Sequence, residues 1–330
     1  MPEDLSALDR PATVRHAEPE HAGVVLVDWM LGNSCNYACS YCPSALHDGS
    51  IRWQAATDIL RFLDVLRRHY CGTLGRQVWL QFTGGEPSQH PRIDTILAEA
   101  RARGFRSSLI SNGGRTLRFW DRIAPLLDGM ILTYHDEFAD HARFLDLAVL
   151  LAEAMPLHIN ITIHPDRFDA ILARALEISE TVPLASISLK PLRIGFGTDP
   201  YAYTDDQRAR MQAASRGAGP RGTTAPRGVM CAIAEDGRHA VQKAAAFLLT
   251  GRNRWHGYLC EAGIESLRVH ADGRILRATC GVGGTLGRLG GPVDLPLSPV
   301  LCDRDACGCV ADILITKRDI GALNRATGLA

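Results

Sequence analysis

The sequence predicts an α/β protein: a partial (β/α)6 barrel followed by a smaller, cysteine-rich α+β unit. Three observations carry that prediction. Residues 24–191 alternate short apolar runs with amphipathic stretches six times over. Beyond Pro191 the texture breaks into Gly- and Pro-rich segments and hairpin turns. Six of the ten cysteines lie beyond residue 230.

Each element has its own signal. "VVLVDWM" (24–30) is a β-branched apolar run of the kind a buried parallel strand needs. From about Trp53 to Tyr70, Ile59, Leu60, Leu63 and Leu66 form a helical stripe. "QVWLQF" (77–82) reads as strand, "RIDTILAEARARG" as a helix ended by Gly104, and "FRSSLIS" (105–111) as strand. Helix 116–127, strand 129–134, helix 138–154, strand 157–163, helix 166–181 and strand 185–190 complete the series. Six strands joined by helices imply a parallel sheet with right-handed crossovers, and the length suits six repeats better than eight. "RGAGPRGTTAPRG" (216–228) reads as loop, and "ADGR" between "IESLRVH" and "RILRATC" reads as a β-hairpin. The expected division is therefore an N-terminal extension (1–22), a core (23–195) and a linker with a second unit (196–330).

Composition excludes several function classes. Lys plus Arg and Asp plus Glu stand at 36 each, which leaves no electrostatic footprint for nucleic acid or an anionic membrane. No apolar run approaches the roughly 18 residues of a membrane span, and the polar start does not resemble a signal peptide. A cytoplasmic protein is expected. In a reducing compartment, clustered cysteines bind metal or do chemistry more often than they form disulfides.

The densest cluster is "SCNYACSYCP", with Cys35, Cys39 and Cys42 as C-x3-C-x2-C directly after the first strand. That places three thiolates at the C-terminal mouth of the sheet, where β/α folds carry their sites. Thiolates suit iron–sulfur clusters or zinc, and His47 can complete a zinc set. The second strand ends in Gly84, Gly85 and Glu86, the third in Ser111 and Asn112; the fifth carries Asn160 and Thr162, the sixth Lys190.

Together these residues resemble the radical S-adenosylmethionine (SAM) superfamily, with its CxxxCxΦC signature (Tyr41 at Φ) and GGE motif. The resemblance implies a TIM-like partial barrel and a 4Fe–4S cluster held by Cys35, Cys39 and Cys42. The remaining iron would be left for SAM. It further implies Tyr41 near the adenine, Gly84, Gly85 and Glu86 at the SAM amino group, and Ser111 and Asn112 at its ribose or carboxylate. Asn160, Thr162 and Lys190 are further candidates for SAM. The implied chemistry is reductive cleavage of SAM to a 5′-deoxyadenosyl radical that abstracts a hydrogen atom, with a flavodoxin- or ferredoxin-type reductant.

Cys260 and Cys280 flank the "ADGR" hairpin, and Cys302, Cys307 and Cys309 follow as C-x4-C-x-C. This is similar to the SPASM and twitch modules of that superfamily and implies one auxiliary 4Fe–4S cluster. Five cysteines leave one to spare, and zinc on the same thiols remains open. Cys71 is expected to be a buried apolar residue, and Cys231 is a candidate hydrogen-atom donor to a substrate radical. Two substrate classes follow: epimerisation or dehydrogenation of a sugar- or aminocyclitol-type small molecule, and modification of a ribosomal peptide. A non-catalytic iron–sulfur protein is a third reading. Tyr201, Tyr203 and the Arg-rich 208–228 stretch can meet a substrate or form a solvated linker.

Overall fold

The computed structural model describes residues 10–327 apart from 197–198, 218, 220, 223 and 225–227. Its strands are β1 (Thr13–His16), β2 (Val24–Met30), β3 (Gln77–Thr83), β4 (Arg106–Ser111), β5 (Gly129–His135), β6 (Leu157–Ile163), β7 (Ser186–Pro191), β8 (Met230–Ile233), β9 (His239–Gln242), β10 (Tyr258–Cys260), β11 (Ser266–Val269), β12 (Arg274–Leu276), β13 (Thr285–Arg288), β14 (Val300–Leu301) and β15 (Lys317–Asp319). The helices are α1 (Pro19–Ala22), α2 (Ala56–Leu66), α3 (Ile93–Ala102), α4 (Leu117–Ile123), α5 (His141–Ala154), α6 (Phe168–Thr181), α7 (Asp205–Ala214), α8 (Ala244–Leu249), α9 (Val310–Ile313) and α10 (Ile320–Thr327).

β2 to β7 lie side by side in chain order, all parallel, with α2 to α6 as crossovers. Alternation along each strand sorts the two faces. In β6, Leu157, Ile159, Ile161 and Ile163 join the apolar core, while His158, Asn160 and Thr162 take the opposite face. In β5 the same division puts Met130, Leu132 and Tyr134 in the core and Thr133 and His135 opposite. The expected six-stranded partial barrel is present.

The sheet, however, does not stop at six strands. The "ADGR" hairpin, which the sequence places in the second unit, extends the core sheet instead. β11 runs parallel to β2, pairing Ser266 with Leu26 and Val269 with Trp29, and β12 and β13 follow antiparallel. Burial explains the preference: Leu267 and Val269 share the core with Val25 and Val27, and Arg268 pairs with Asp28 across the seam. Gln54 closes the join by donating to the carbonyls of His270 (2.7 Å) and Ala271 (3.1 Å).

The second sheet has the order β14-β10-β15-β1-β8-β9 and its own apolar cluster, containing Met230, Phe247, Trp255, Tyr258 and Ile313. The N-terminal extension thus contributes a central strand here, β1, between β15 and β8.

Two further expectations are corrected. Cys71 is exposed, because a π-helical turn over Arg67–Thr73 carries Tyr70 inward and Cys71 outward. The stretch after Pro191 is no solvated linker where it is described. α7 opens on a capping box between Thr204 and Gln207. Tyr203 is buried and donates to the Ile163 carbonyl (2.6 Å), and Arg216 donates to the carbonyls of Ser179, Val182 and Ala185. No helix among the described residues is long and apolar enough to cross a membrane.

Candidate active site

The loop after β2 is strapped to the end of β3. The Gly85 N–H donates to the Gly32 carbonyl (3.1 Å) and the Glu86 N–H to that of Ser34 (2.8 Å). Gly84 sits at φ 142°, and a Cβ on it would lie 2.5 Å from Gly32 O; on Gly85 it would lie 2.2 Å from Ser34 O. The two glycines are required because backbone meets backbone there. Asn33, which sequence reasoning passed over, closes the loop from within by donating to Ala45 O (2.9 Å) and the Asp48 carboxylate (2.7 Å).

Glu86 is 1 % exposed, and its carboxylate is bound by three donors: Ser88 N–H (2.9 Å), Ser111 hydroxyl (2.7 Å) and Asn112 N–H (2.7 Å). Burial nevertheless raises its pKa, so the carboxylate depends on those donors. It ties β3 to β4 and brings the Asn112 amide within 3.6 Å of Cys35 Sγ.

These strand ends enclose a cavity of about 320 Å³. Cys35, Cys39 and Cys42 line it together with Gly84, Glu86, Ser111, Asn112, Thr162 and His135. Burial pushes all three thiols up, Cys39 to about 11. Thiols of this kind become thiolates when a metal displaces their protons.

Tyr41 is fixed from below. Thr162 donates to the Tyr134 carbonyl (3.0 Å), which leaves its oxygen to accept the Tyr41 proton (2.9 Å). Tyr41 Oη then accepts from His135 Nδ1 (2.6 Å), which also lies 3.6 Å from Cys39 Sγ. Burial pushes the His135 imidazole down to about 4, so the ring is neutral at pH 7 with its proton on Nδ1. His135 escaped the sequence reading, although its place as the last residue of β5 was a usable signal.

Residues 29–177 match the family model of the radical SAM superfamily. That segment is of the radical SAM type. A curated relative, an S-adenosylmethionine-dependent nucleotide dehydratase from Fibrobacter, is 30% identical over 93 residues, 27% of each chain. Among solved structures, Streptococcus suis SuiB bound to precursor peptide SuiA is similar at 15% identity and a TM-score of 0.50, over 84% of this chain and 65% of that one. SuiB bound to S-adenosylmethionine aligns at 14% identity and a TM-score of 0.46, over 78% of this chain and 60% of that one. The chain thus spans about a quarter of the length of the curated relative and under two thirds of SuiB. Fold and match agree on the core: a partial barrel of radical SAM type, followed by a smaller α+β unit.

The radical SAM cavity gathers most of the residues that the sequence singles out, and omits three. Asn160 accepts from His158 Nε2 (3.1 Å), and Lys190 opens to solvent with its pKa lowered by partial enclosure; neither lines the cavity. Cys231 stands in β8, opposite Arg15 of β1, and does not line it either.

Among the described residues no three His, Cys, Asp or Glu side chains converge as a single metal ion would require. Three cysteines around one open cavity are a soft donor set of the kind an iron–sulfur cluster takes.

The second cysteine set resolves into four and one. Cys260, Cys302 and Cys307 are buried in the second apolar cluster, with Cys280 packed against it. Burial pushes Cys280 and Cys307 up to about 12. Backbone bonds pin them: Cys302 N–H to Tyr258 O (2.8 Å), Cys307 N–H to Asn253 O (2.8 Å), and Cys280 N–H to the Asp312 carboxylate (2.7 Å). Cys309 lies outside this cluster, at the N-cap of α9.

Proposed function

We propose that the protein cleaves SAM reductively and abstracts a hydrogen atom from a peptide, leading to epimerisation or cross-linking. The observation that carries the SAM chemistry is the single cavity shared by Cys35, Cys39, Cys42 and the strand-end residues Gly84, Glu86, Ser111 and Asn112. When bound, the cluster supplies the electron that breaks the SAM carbon–sulfur bond.

The chain's own residues do the rest. Cys35, Cys39 and Cys42 would hold the cluster. The Gly84–Glu86 strap fixes the loop, and Ser111 and Asn112 bring polar groups to the same rim. Tyr41, braced by His135 and Thr162, forms a wall that excludes water from a reactive intermediate. Cys260, Cys280, Cys302 and Cys307, gathered in one apolar cluster, would hold an auxiliary cluster, with Cys309 the spare. The peptide assignment draws on the likeness to SuiB, whose solved complex contains a precursor peptide.

The relative named a nucleotide dehydratase favours a second reading, a small-molecule substrate. Anaerobic reconstitution with iron and sulfide, then SAM and dithionite, tests the first claim: 5′-deoxyadenosine is expected, and its absence with every substrate counts against radical chemistry. Parallel incubations with a precursor peptide encoded nearby and with nucleoside triphosphates separate the substrate classes. Peptide-stimulated release supports the main reading, and nucleotide-stimulated release replaces it with the second.

A further inference from the structure

Lys317 is a charged side chain that the protein hides completely, at 0 % exposure. It lies in β15 directly opposite Cys260 in β10. Residues facing each other across an antiparallel pair project from the same side of the sheet. Its Nζ donates to three carbonyls, those of Asp312 (2.7 Å), Ile313 (3.1 Å) and Ile315 (2.7 Å), and stands 5.5 Å from the centre of the Trp255 ring. Three carbonyl acceptors call for three N–H donors, which an ammonium has and a neutral amine lacks.

No carboxylate is among the hydrogen-bond partners of this cation. Asp312 contributes its backbone carbonyl to Lys317 and turns its carboxylate to the N–H groups of Thr279 (3.0 Å) and Cys280 (2.7 Å). A buried cation is costly unless negative charge lies close, and the buried Asp312 carboxylate, held by the Cys280 N–H, supplies part of it. Four thiolates around a cluster would supply the rest of the offsetting charge.

We propose that Lys317 is a positioning residue of the auxiliary cluster whose buried ammonium raises the cluster's reduction potential. The inference rests on the auxiliary-cluster reading of Cys260, Cys280, Cys302 and Cys307. On reduction the cluster gains one electron from a low-potential donor of ferredoxin type or from dithionite, and no proton moves. Its charge becomes one unit more negative, so a fixed cation nearby favours the reduced state. The competing role for Lys317 is structural: it caps the carbonyls at the end of α9. That role predicts a change in melting temperature and no change in potential.

The test uses the full chain carrying Cys35→Ala, Cys39→Ala and Cys42→Ala, so that the auxiliary cluster alone titrates. Loss of all iron in that parent overturns the auxiliary-cluster reading itself, before Lys317 is touched. With about four irons retained, Lys317→Gln keeps hydrogen-bond donors without charge, Lys317→Met removes both, and Lys317→Arg keeps the charge. Redox titration followed by electron paramagnetic resonance should show the ratio of reduced to oxidised cluster at fixed poise falling about tenfold in the Gln and Met variants, a shift of about 59 mV to more negative potential. Lys317→Arg should stay close to the parent. Loss of iron in the two neutral variants with retention in Lys317→Arg also supports the proposal, since charge then decides whether the cluster is held. Parental potentials in the neutral variants, or equal iron loss in all three, overturn it.

Discussion

The hydroxyl of Tyr41 accepts a hydrogen bond of 2.6 Å from His135 Nδ1, joining the cysteine loop to the end of β5. Because Tyr41 gives its one proton to Thr162, three elements of the barrel mouth share a single ordered chain.

Tyr41→Phe breaks that chain and leaves a buried donor on His135 and a buried acceptor on Thr162. Stability should fall by about 1–3 kcal/mol, seen as a lower urea midpoint of the reconstituted protein. Iron content should stay near the parental value, because no thiol is removed.

Gly85→Ala tests the strap. Its Cβ would stand 2.2 Å from the Ser34 carbonyl oxygen, which is backbone and cannot swing away. The loop bearing Cys35 must then shift. Loss of about half the iron after anaerobic reconstitution is expected, with a destabilisation of about 1–3 kcal/mol. Gly75→Ala is a control for a positive-φ position with open space around it, and it should keep its iron.

The division of the distal cysteines makes a sharp contrast. Cys309→Ala should retain about eight irons per chain, whereas Cys302→Ala or Cys307→Ala should drop towards four. Iron and sulfide assays on the purified variants read this directly. Iron loss in Cys309→Ala with retention in Cys302→Ala would reverse the assignment.

His158 gives the pH prediction. Burial, helped by the nearby Lys190 charge, pushes its imidazole from 6.5 to about 4. The unfolded chain therefore binds the proton first as pH falls. The stabilisation is present above about pH 6.5 and is lost progressively between there and about pH 4, by on the order of 2–3 kcal/mol. Urea unfolding of His158→Gln at pH 7 and pH 5 should show a smaller pH difference than the parent. Equal differences would show that His158 does not drive the loss.

Much of the cavity was legible because its residues are local in sequence. Cys35, Cys39 and Cys42 share one loop, and Gly84–Glu86 and Ser111–Asn112 follow apolar runs whose length and alternation mark them as strands. His135 and Asn33 were missed because a single His or Asn at a strand end has no pattern around it. Their roles come from partners far away in sequence, Tyr41 for one and Asp48 for the other.

The sequence by itself determined the repeating β/α core, the triple-cysteine loop and the order in which polar strand ends reach the mouth. Periodicity of two and of 3.6, and cysteine spacing, are written locally and survive without knowledge of the fold. Only the tertiary structure decided that the "ADGR" hairpin extends the core sheet, that β1 crosses into the second sheet, and that Cys309 lies outside the apolar cluster that gathers Cys260, Cys280, Cys302 and Cys307. Those outcomes depend on which apolar faces and unpaired strand edges find each other, and that competition is settled by burial between segments hundreds of residues apart.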